Sequence, residues 1–226
     1  TFSIHNYFPV QKNGLVLNLA SLDKKISKNT LYFMKNAIKL ANSLGLKFYS
    51  FHAGFRIDPN INDLGKKINN TEKIQDKEKS IREFVKNVNI LADFARNLKV
   101  KLLIENNVCS KTNSIVFTEN PFLMCDYQDT KEIMEKLNGK ANLLIDVGHL
   151  KVSSNILGFS KEKFMQSTKN WTKGYHLSEN DGENDLNLPV CEESWFWKYV
   201  NHEIEYRVIE VYKKDPLLLK KQVDLT

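Results

Sequence analysis

Nowhere in these 226 residues is there an apolar run approaching the roughly 20 that a membrane-spanning helix requires. The opening residues, TFSIHNYFPV, hold neither the charged stretch nor the long apolar core of a secretory leader. Cysteine is scarce. Cys109, Cys125 and Cys191 form no even set and show no metal-site spacing, which reads as reduced thiols in a cytoplasmic protein. Linkers, low-complexity segments and repeats are absent as well. One domain over residues 1–226 is therefore expected, a length that α/β barrels often fill as a single unit. The net charge of +6 rests on lysines spread over helical segments such as 71–99. They read as solvated faces, since net charge alone speaks to non-specific attraction and not to fold. The chain begins at Thr1, almost directly against a strand, so an N-terminal portion is expected to be missing from the sequence.

What is present is an alternation. Apolar and β-branched runs fall at 2–4, 47–52, 100–104, 141–147, 173–177 and 206–212, and helical patterns fill most of the gaps. Residues 27–44 put Leu31, Met34, Ile38 and Leu44 near one face, and Gly45 closes that helix. Residues 71–98 predict a longer helix with Thr71 as its N-cap and an apolar stripe of Ile81, Phe84, Val88, Leu91 and Phe94 or Ala95. Shorter helices are predicted at 128–137, 160–170, 193–201 and 215–222. Runs such as LLIE and NLLIDV are apolar without alternation, as strands buried on both faces are. Strand and helix in turn predict a parallel sheet of βαβ units. Two long loops remain, 53–70 and 177–192, of a length that often serves as a lid.

The ionisable residues fall in a pattern. FSIH ends in His5, FYSFH in His52, KLLIE in Glu105, NLLID in Asp146 with His149 three residues on, GYH in His176, and RVIE in Glu210. Four of the five histidines of the chain belong to this set. One such residue at the end of a buried strand is common and needs only a hydrogen-bond or ion-pair partner. Six in succession are a different matter, because the strand ends of a parallel barrel form one rim, where active sites lie. Carboxylates gathered there repel one another unless a cation neutralises them. Mixed imidazole and carboxylate ligands suit Zn²⁺, Mn²⁺, Co²⁺ or Fe²⁺.

These residues resemble the xylose-isomerase-like barrel superfamily, which includes sugar isomerases and epimerases and the endonuclease-IV-type abasic-site nucleases. The resemblance covers nearly the whole chain. It is carried by IHNYFP…LVLNLAS, HAG at 52–54, LLIENN at 102–107, LLIDVGHLKVS at 143–153, HLSENDGENDLN at 176–187 and VIEVY at 208–212. It implies a (β/α) TIM barrel. The family barrel has eight strands with His5 expected on the third, so this chain is expected to lack the first two. In the epimerase branch the resemblance implies a divalent metal (Mn, Zn, Co or Mg) held by Glu105, Asp146, His176 and Glu210, with His149 contacting the hydroxyls of a small carbohydrate. Glu105 and Glu210 would then exchange the substrate proton. In the nuclease branch it implies up to three Zn²⁺ ions, with His5, His52, His149, Asp185 and the position of Asn187 joining the site and abasic DNA as substrate. The family pattern there is D-x-H, whereas this chain has Asp185-Leu186-Asn187, and an amide is no strong Zn²⁺ ligand. Arg56, Lys66 and Lys67 in the long loop fit a phosphate-bearing partner. Trp195 and Trp197 are candidates for a sugar-pocket wall or for packing outside the barrel. Asn106 and Asn107 are candidates for binding hydroxyls or for shaping turns.

Overall fold

The structure is a computed structural model, and it describes residues 3–9, 14–63, 67–68, 73–212 and 215–225. Among the described residues six parallel strands form one sheet: β1 (Ile4–His5), β2 (Phe48–His52), β3 (Lys101–Glu105), β4 (Asn142–Asp146), β5 (Thr172–Leu177) and β6 (Tyr206–Ile209). Each pairs with its neighbour in sequence, in the order β1-β2-β3-β4-β5-β6. The sheet curls into a half-barrel, a TIM barrel short of strands. Among the described residues β1 and β6 do not pair, so the ring is not closed by backbone. Side chains do cross the gap. The Tyr206 hydroxyl of β6 lies 2.7 Å from Ser50 of β2, and Lys47 meets Glu205 at 2.6 Å.

Period-two geometry sorts the strand residues. Tyr49, Phe51, Leu102, Ile104, Leu143, Ile145, Tyr175 and Leu177 join the main core, which packs the sheet against helices. The alternate residues Leu103, Leu144 and Tyr206 form a smaller cluster inside the curl. Ser50, His52, Glu105, Asp146 and His176 share the parity of that inner set, so the strand ends deliver them inward. Gly174 suits the tight packing inside the curl: a Cβ there would stand 3.0 Å from both Leu103 and Tyr206 side-chain carbons.

The outer helices are α1 (Lys24–Ser43), α2 (Lys77–Asn97), α3 (Lys111–Ser114), α4 (Tyr127–Leu137), α5 (Val147–Leu157), α6 (Lys161–Thr168) and α7 (Pro216–Asp224). Asp23 starts α1 by accepting from the Lys25 and Ile26 amides at 2.7 and 3.1 Å. Phe33, Met34, Ala37, Ile38 and Ala41 form its buried face. The predicted start of the second helix does not hold. Asp76 caps α2, accepting from the Lys79 amide at 2.9 Å, while Thr71 lies outside the described residues.

Two further readings are corrected, and one helix was not predicted. The helix expected over 193–201 is a single 3-10 turn, Trp197–Tyr199. Its approach is set by the Cys191 amide donating to Ser194 Oγ and by the Trp197 indole donating to the Cys191 carbonyl, which fold the segment back on itself. The last strand stops at Ile209 and does not run to 212. Finally, α5 follows β4 with no loop, because the strand-ending Asp146 is itself the helix N-cap. None of the helices is long and apolar enough to cross a membrane, among the described residues.

Candidate metal centre

The inward strand ends meet. Glu105 Oε1 is 3.2 Å from His176 Nδ1, Glu210 Oε2 is 2.9 Å from the same nitrogen, and Asp146 Oδ2 is 3.9 Å from it. One ligand atom from each of Glu105, Asp146, His176 and Glu210 lies within 4.8 Å of the other three, a span that one ion could bridge. Two groups of three, within the same span, overlap this group of four: His5, Glu105 and His176, and His52, Glu105 and His149. Glu105 is common to all three. It is fully buried, its Oε2 lying 3.3 Å from His5 Nε2 and 3.7 Å from His52 Nδ1. The imidazoles of His5 and His52 stand 5.1 Å apart, as do those of His5 and His176 at 5.0 Å.

The donor set fits a cation on direct grounds. Glu105 Oε2, Asp146 Oδ2 and His176 Nε2 are buried without a hydrogen-bond partner. Buried polar atoms are satisfied as a rule, and orphans of this kind mark a group left to bind something. Among the described residues no Lys or Arg is paired with Glu105, Asp146 or Glu210; their charged partners are all imidazoles. Asp146 divides its carboxylate between two tasks. Oδ1 accepts from the His149 amide at 2.7 Å as the cap of α5, which leaves Oδ2 to the site.

The electrostatics follow from this crowding. Burial works to raise the Glu105 carboxyl, but His52, His176 and His5 together hold it well below the usual carboxylate range. Burial pushes Asp146 up to about 7, helped by the Glu105 and Glu210 carboxylates and opposed by His149. Glu210 is brought down to about 2: burial opposes this, and its bond to His176 prevails. Burial disfavours charge on all four imidazoles. For His176 the Glu105 and Glu210 carboxylates reverse it, and for His149 Asp146 and Asp185 do, so both are raised well above the ordinary value. For His5 burial wins, lowering it to about 3, and His52 is lowered for the same reason. Strongly perturbed groups in one cleft are what functional sites look like.

The sequence candidates divide as follows. His149 lies in the cluster. Its Nδ1 faces the Asn106 carbonyl at 2.9 Å and therefore carries a proton, and Nε2 faces Asp185 Oδ2 at 3.3 Å. Asp185 is steadied by Asn180 at 3.3 Å. Asn187 belongs to none of the three ligand groups. It has a left-handed backbone, its amide bonds Asn180, and its side-chain oxygen is buried without a partner. Asn106 and Asn107 are spent on backbone. Asn106 brackets the Asp146 amide and carbonyl at 2.8 and 3.2 Å, and Asn107 ties Ala53, Gly54 and Leu123. Arg56 turns inward, bidentate to Glu119 at 2.9 and 3.1 Å. Lys66 lies outside the described residues. The tryptophans pack with the outer layer: Trp195 against Phe196 and under the Lys161 ammonium, Trp197 against Phe196 and His202.

Two residues escaped the sequence reading. Tyr212 donates to Glu210 Oε1 at 3.0 Å, and its position two residues past Glu210 was the signal available. Ser50 bonds His5 Nδ1 at 3.0 Å, and nothing local in sequence marks it.

Fold and rim together define an α/β half-barrel with one titratable, inward-facing cluster at its strand ends. The chain belongs to the xylose isomerase-like TIM barrel family, whose profile matches residues 1–204. A curated relative, the uncharacterised protein MJ1614 of Methanocaldococcus jannaschii, is 25% identical over 174 residues. The match takes in 77% of this chain and 56% of that protein, so the chain spans about half the length of this relative. Among solved structures, a D-tagatose 3-epimerase-like protein aligns with TM-score 0.70 and 18% identity, covering 99% of this chain and 74% of its own. A Thermus thermophilus protein whose crystals were soaked with zinc chloride aligns at TM-score 0.64 and 18% identity, over 99% and 77%. The 3-keto-D-glucoside 4-epimerase of E. coli aligns at 0.64 and 9% identity, over 93% and 75%.

Proposed function

We propose that this chain is a divalent-metal-dependent isomerase or epimerase of a small sugar or sugar phosphate. The observation that carries the reading is the convergence of Glu105, Asp146, His176 and Glu210 within 4.8 Å, with buried oxygens left unpartnered. These four would hold the ion, which when bound polarises neighbouring substrate oxygens and acidifies the carbon beside them. Glu105 and Glu210 are the two proton carriers. Both lie against one imidazole nitrogen, His176 Nδ1, at 3.2 and 2.9 Å, which fixes the two carboxylates beside each other at the rim. One removes the carbon-bound proton, and the other returns one on the same or the opposite face. Glu210 is the more accessible of the two and is oriented by Tyr212. His149, with Nδ1 committed to the Asn106 carbonyl, presents Nε2 and Asp185 to substrate hydroxyls.

A second reading is favoured by one observation: the further groups His5–Glu105–His176 and His52–Glu105–His149 leave room for more than one ion. Clustered Zn²⁺ suits phosphodiester hydrolysis, here at abasic DNA. Arg56 offers it little, since its charge is already paired with Glu119.

The test is solvent exchange. Purified protein with Mn²⁺, Co²⁺ or Zn²⁺ is incubated in deuterated water with a panel of ketoses and sugar phosphates, and loss of a C–H signal is followed by NMR. Exchange is expected in at least one sugar, and Glu210→Gln should abolish it while metal still binds, because an amide keeps an oxygen but has no useful basicity. Cleavage of an abasic duplex at enzyme-like rates, with no exchange in any sugar, would replace this reading with the second one.

A further inference from the structure

A chain of hydroxyls, exposed at Ser3 and buried at Ser50 and Tyr206, joins the last strand to the first two and ends on the rim. The Tyr206 hydroxyl donates to Ser3 Oγ at 3.3 Å and lies 2.7 Å from Ser50 Oγ. Ser50 Oγ in turn lies 3.0 Å from His5 Nδ1. Ser50 is fully buried and Tyr206 nearly so. Each hydroxyl has one proton to give, which fixes the direction of the chain. Tyr206 has given its proton to Ser3, so in the short bond it accepts from Ser50. Ser50 has then given its own, so it accepts from His5.

We infer that Ser3, Tyr206 and Ser50 are positioning residues that hold His5 with its proton on Nδ1 and its Nε2 facing the Glu105 carboxylate. A second observation points the same way. His5 Nε2 is 3.3 Å from Glu105 Oε2, yet that oxygen has no hydrogen-bond partner. A proton on Nε2 would find an acceptor at that distance but not in line. Two electron-rich atoms thus face each other across a gap that only a proton or a cation fills. This is how a second sphere of hydrogen bonds sets which nitrogen an imidazole presents.

The role of Glu105 as ligand and proton carrier rests on the proposed function above, but the ring state is measured without metal or substrate, so the two can fail separately. Long-range ¹H–¹⁵N correlation spectra of the metal-free protein, with His5 assigned by His5→Gln, report which nitrogen is protonated. Wild type should show the Nδ1–H form. Ser3→Ala frees the Tyr206 proton for Ser50, lets Ser50 donate to His5, and should turn the majority of the ring to Nε2–H. Tyr206→Phe, which leaves the Ser50 proton without its acceptor, should do the same. Ser3 is exposed and touches neither His5 nor Glu105 by any hydrogen bond, so its variant is expected to fold even if the tyrosine variant does not. A merely structural chain would change stability and leave the tautomer alone. An Nε2–H ring in wild type, or a tautomer unmoved by Ser3→Ala, would overturn the inference.

Discussion

At their C-terminal ends, strands β2 to β5 present His52, Glu105, Asp146 and His176 to one another, all but His52 buried and with carboxylate oxygens unpartnered. At their N-terminal ends the same strands begin among Lys47, Lys101, Asn142 and Thr172, and the polar groups there are solvated or paired. Lys47 meets Glu205 in water, and the Lys101 ammonium rests 5.8 Å over the Phe48 ring. The strands are the same, and so is the parity that turns alternate residues inward. The difference lies in what the inward residues can do once there. At the base, apolar Leu103, Leu144 and Tyr206 fill the curl and stabilise it by leaving water. At the rim, the same inward direction gathers carboxylates whose charged partners, among the described residues, are imidazoles. The base packs the half-barrel from inside; the rim gathers ligand-type groups with buried atoms left unpartnered.

The largest expected effect breaks or confirms that division directly. A divalent ion that binds only the folded rim stabilises by about 2.7 kcal/mol at a hundredfold excess over its dissociation constant. For a chain of this size that raises Tm by about 5–10 °C. Thermal melts with and without Mn²⁺, Co²⁺ or Zn²⁺ measure it. Glu105→Gln, which touches all three ligand groups, should remove most of the shift. A wild-type protein indifferent to all these ions would mean that the rim is satisfied by its own imidazoles.

The next effect is one of pH. Asp146 sits at about 7, and His176 is raised well above its ordinary value. Both must shed their protons to offer lone pairs, so protons compete with metal. Affinity should fall about tenfold per pH unit for each proton displaced as pH drops through about 7. The metal-free protein has the opposite slope from Asp146. Its carboxyl is raised in the folded state, so its contribution to stability is full below 3.8 and is lost as pH rises through about 7. Metal titrations one pH unit either side of that value decide the matter, and an affinity that stays level would show that neither group gives up a proton on binding.

Much of the rim was readable because buried strands have few reasons to end in ionisable residues: FYSFH, KLLIE and NLLID each announce both the strand and its terminus. The helix α5 was not readable for a related reason. Asp146 finishes the strand and caps the helix, so no turn residues separate them. Thr71 resembled a helix start by residue type alone, and Asp76 holds that place because its side chain reaches the Lys79 amide. The roles of Asn106, Asn107 and Arg56 were hidden, because each is spent on a partner far away in sequence, between 16 and 63 residues off. The Ser3–Tyr206–Ser50 chain was beyond reach for the same reason, joining residues up to 203 apart.

The smallest expected effect belongs to the base. Lys47 and Glu205 form the 2.6 Å pair that spans from β2 to β6, and by position alone it is the clasp of the open ring. Its side chains are 68% and 63% exposed, however. In that setting water screens the attraction, and holding two long side chains in one geometry costs entropy, so exposed pairs contribute roughly 0–1 kcal/mol. The buried bond of Ser50 to Tyr206 spans the same two strands out of reach of solvent and salt. Lys47→Ala should therefore cost less than about 1 kcal/mol in a urea melt. The loss should shrink further in high salt, since added ions screen what little remains. The metal-induced shift in Tm should be unchanged. A loss of several kcal/mol, or a Lys47→Ala protein that no longer responds to metal, would mean that the curl is held from the base and that the rim is assembled only through it. The two ends of the strands would then be one cooperative unit and not two.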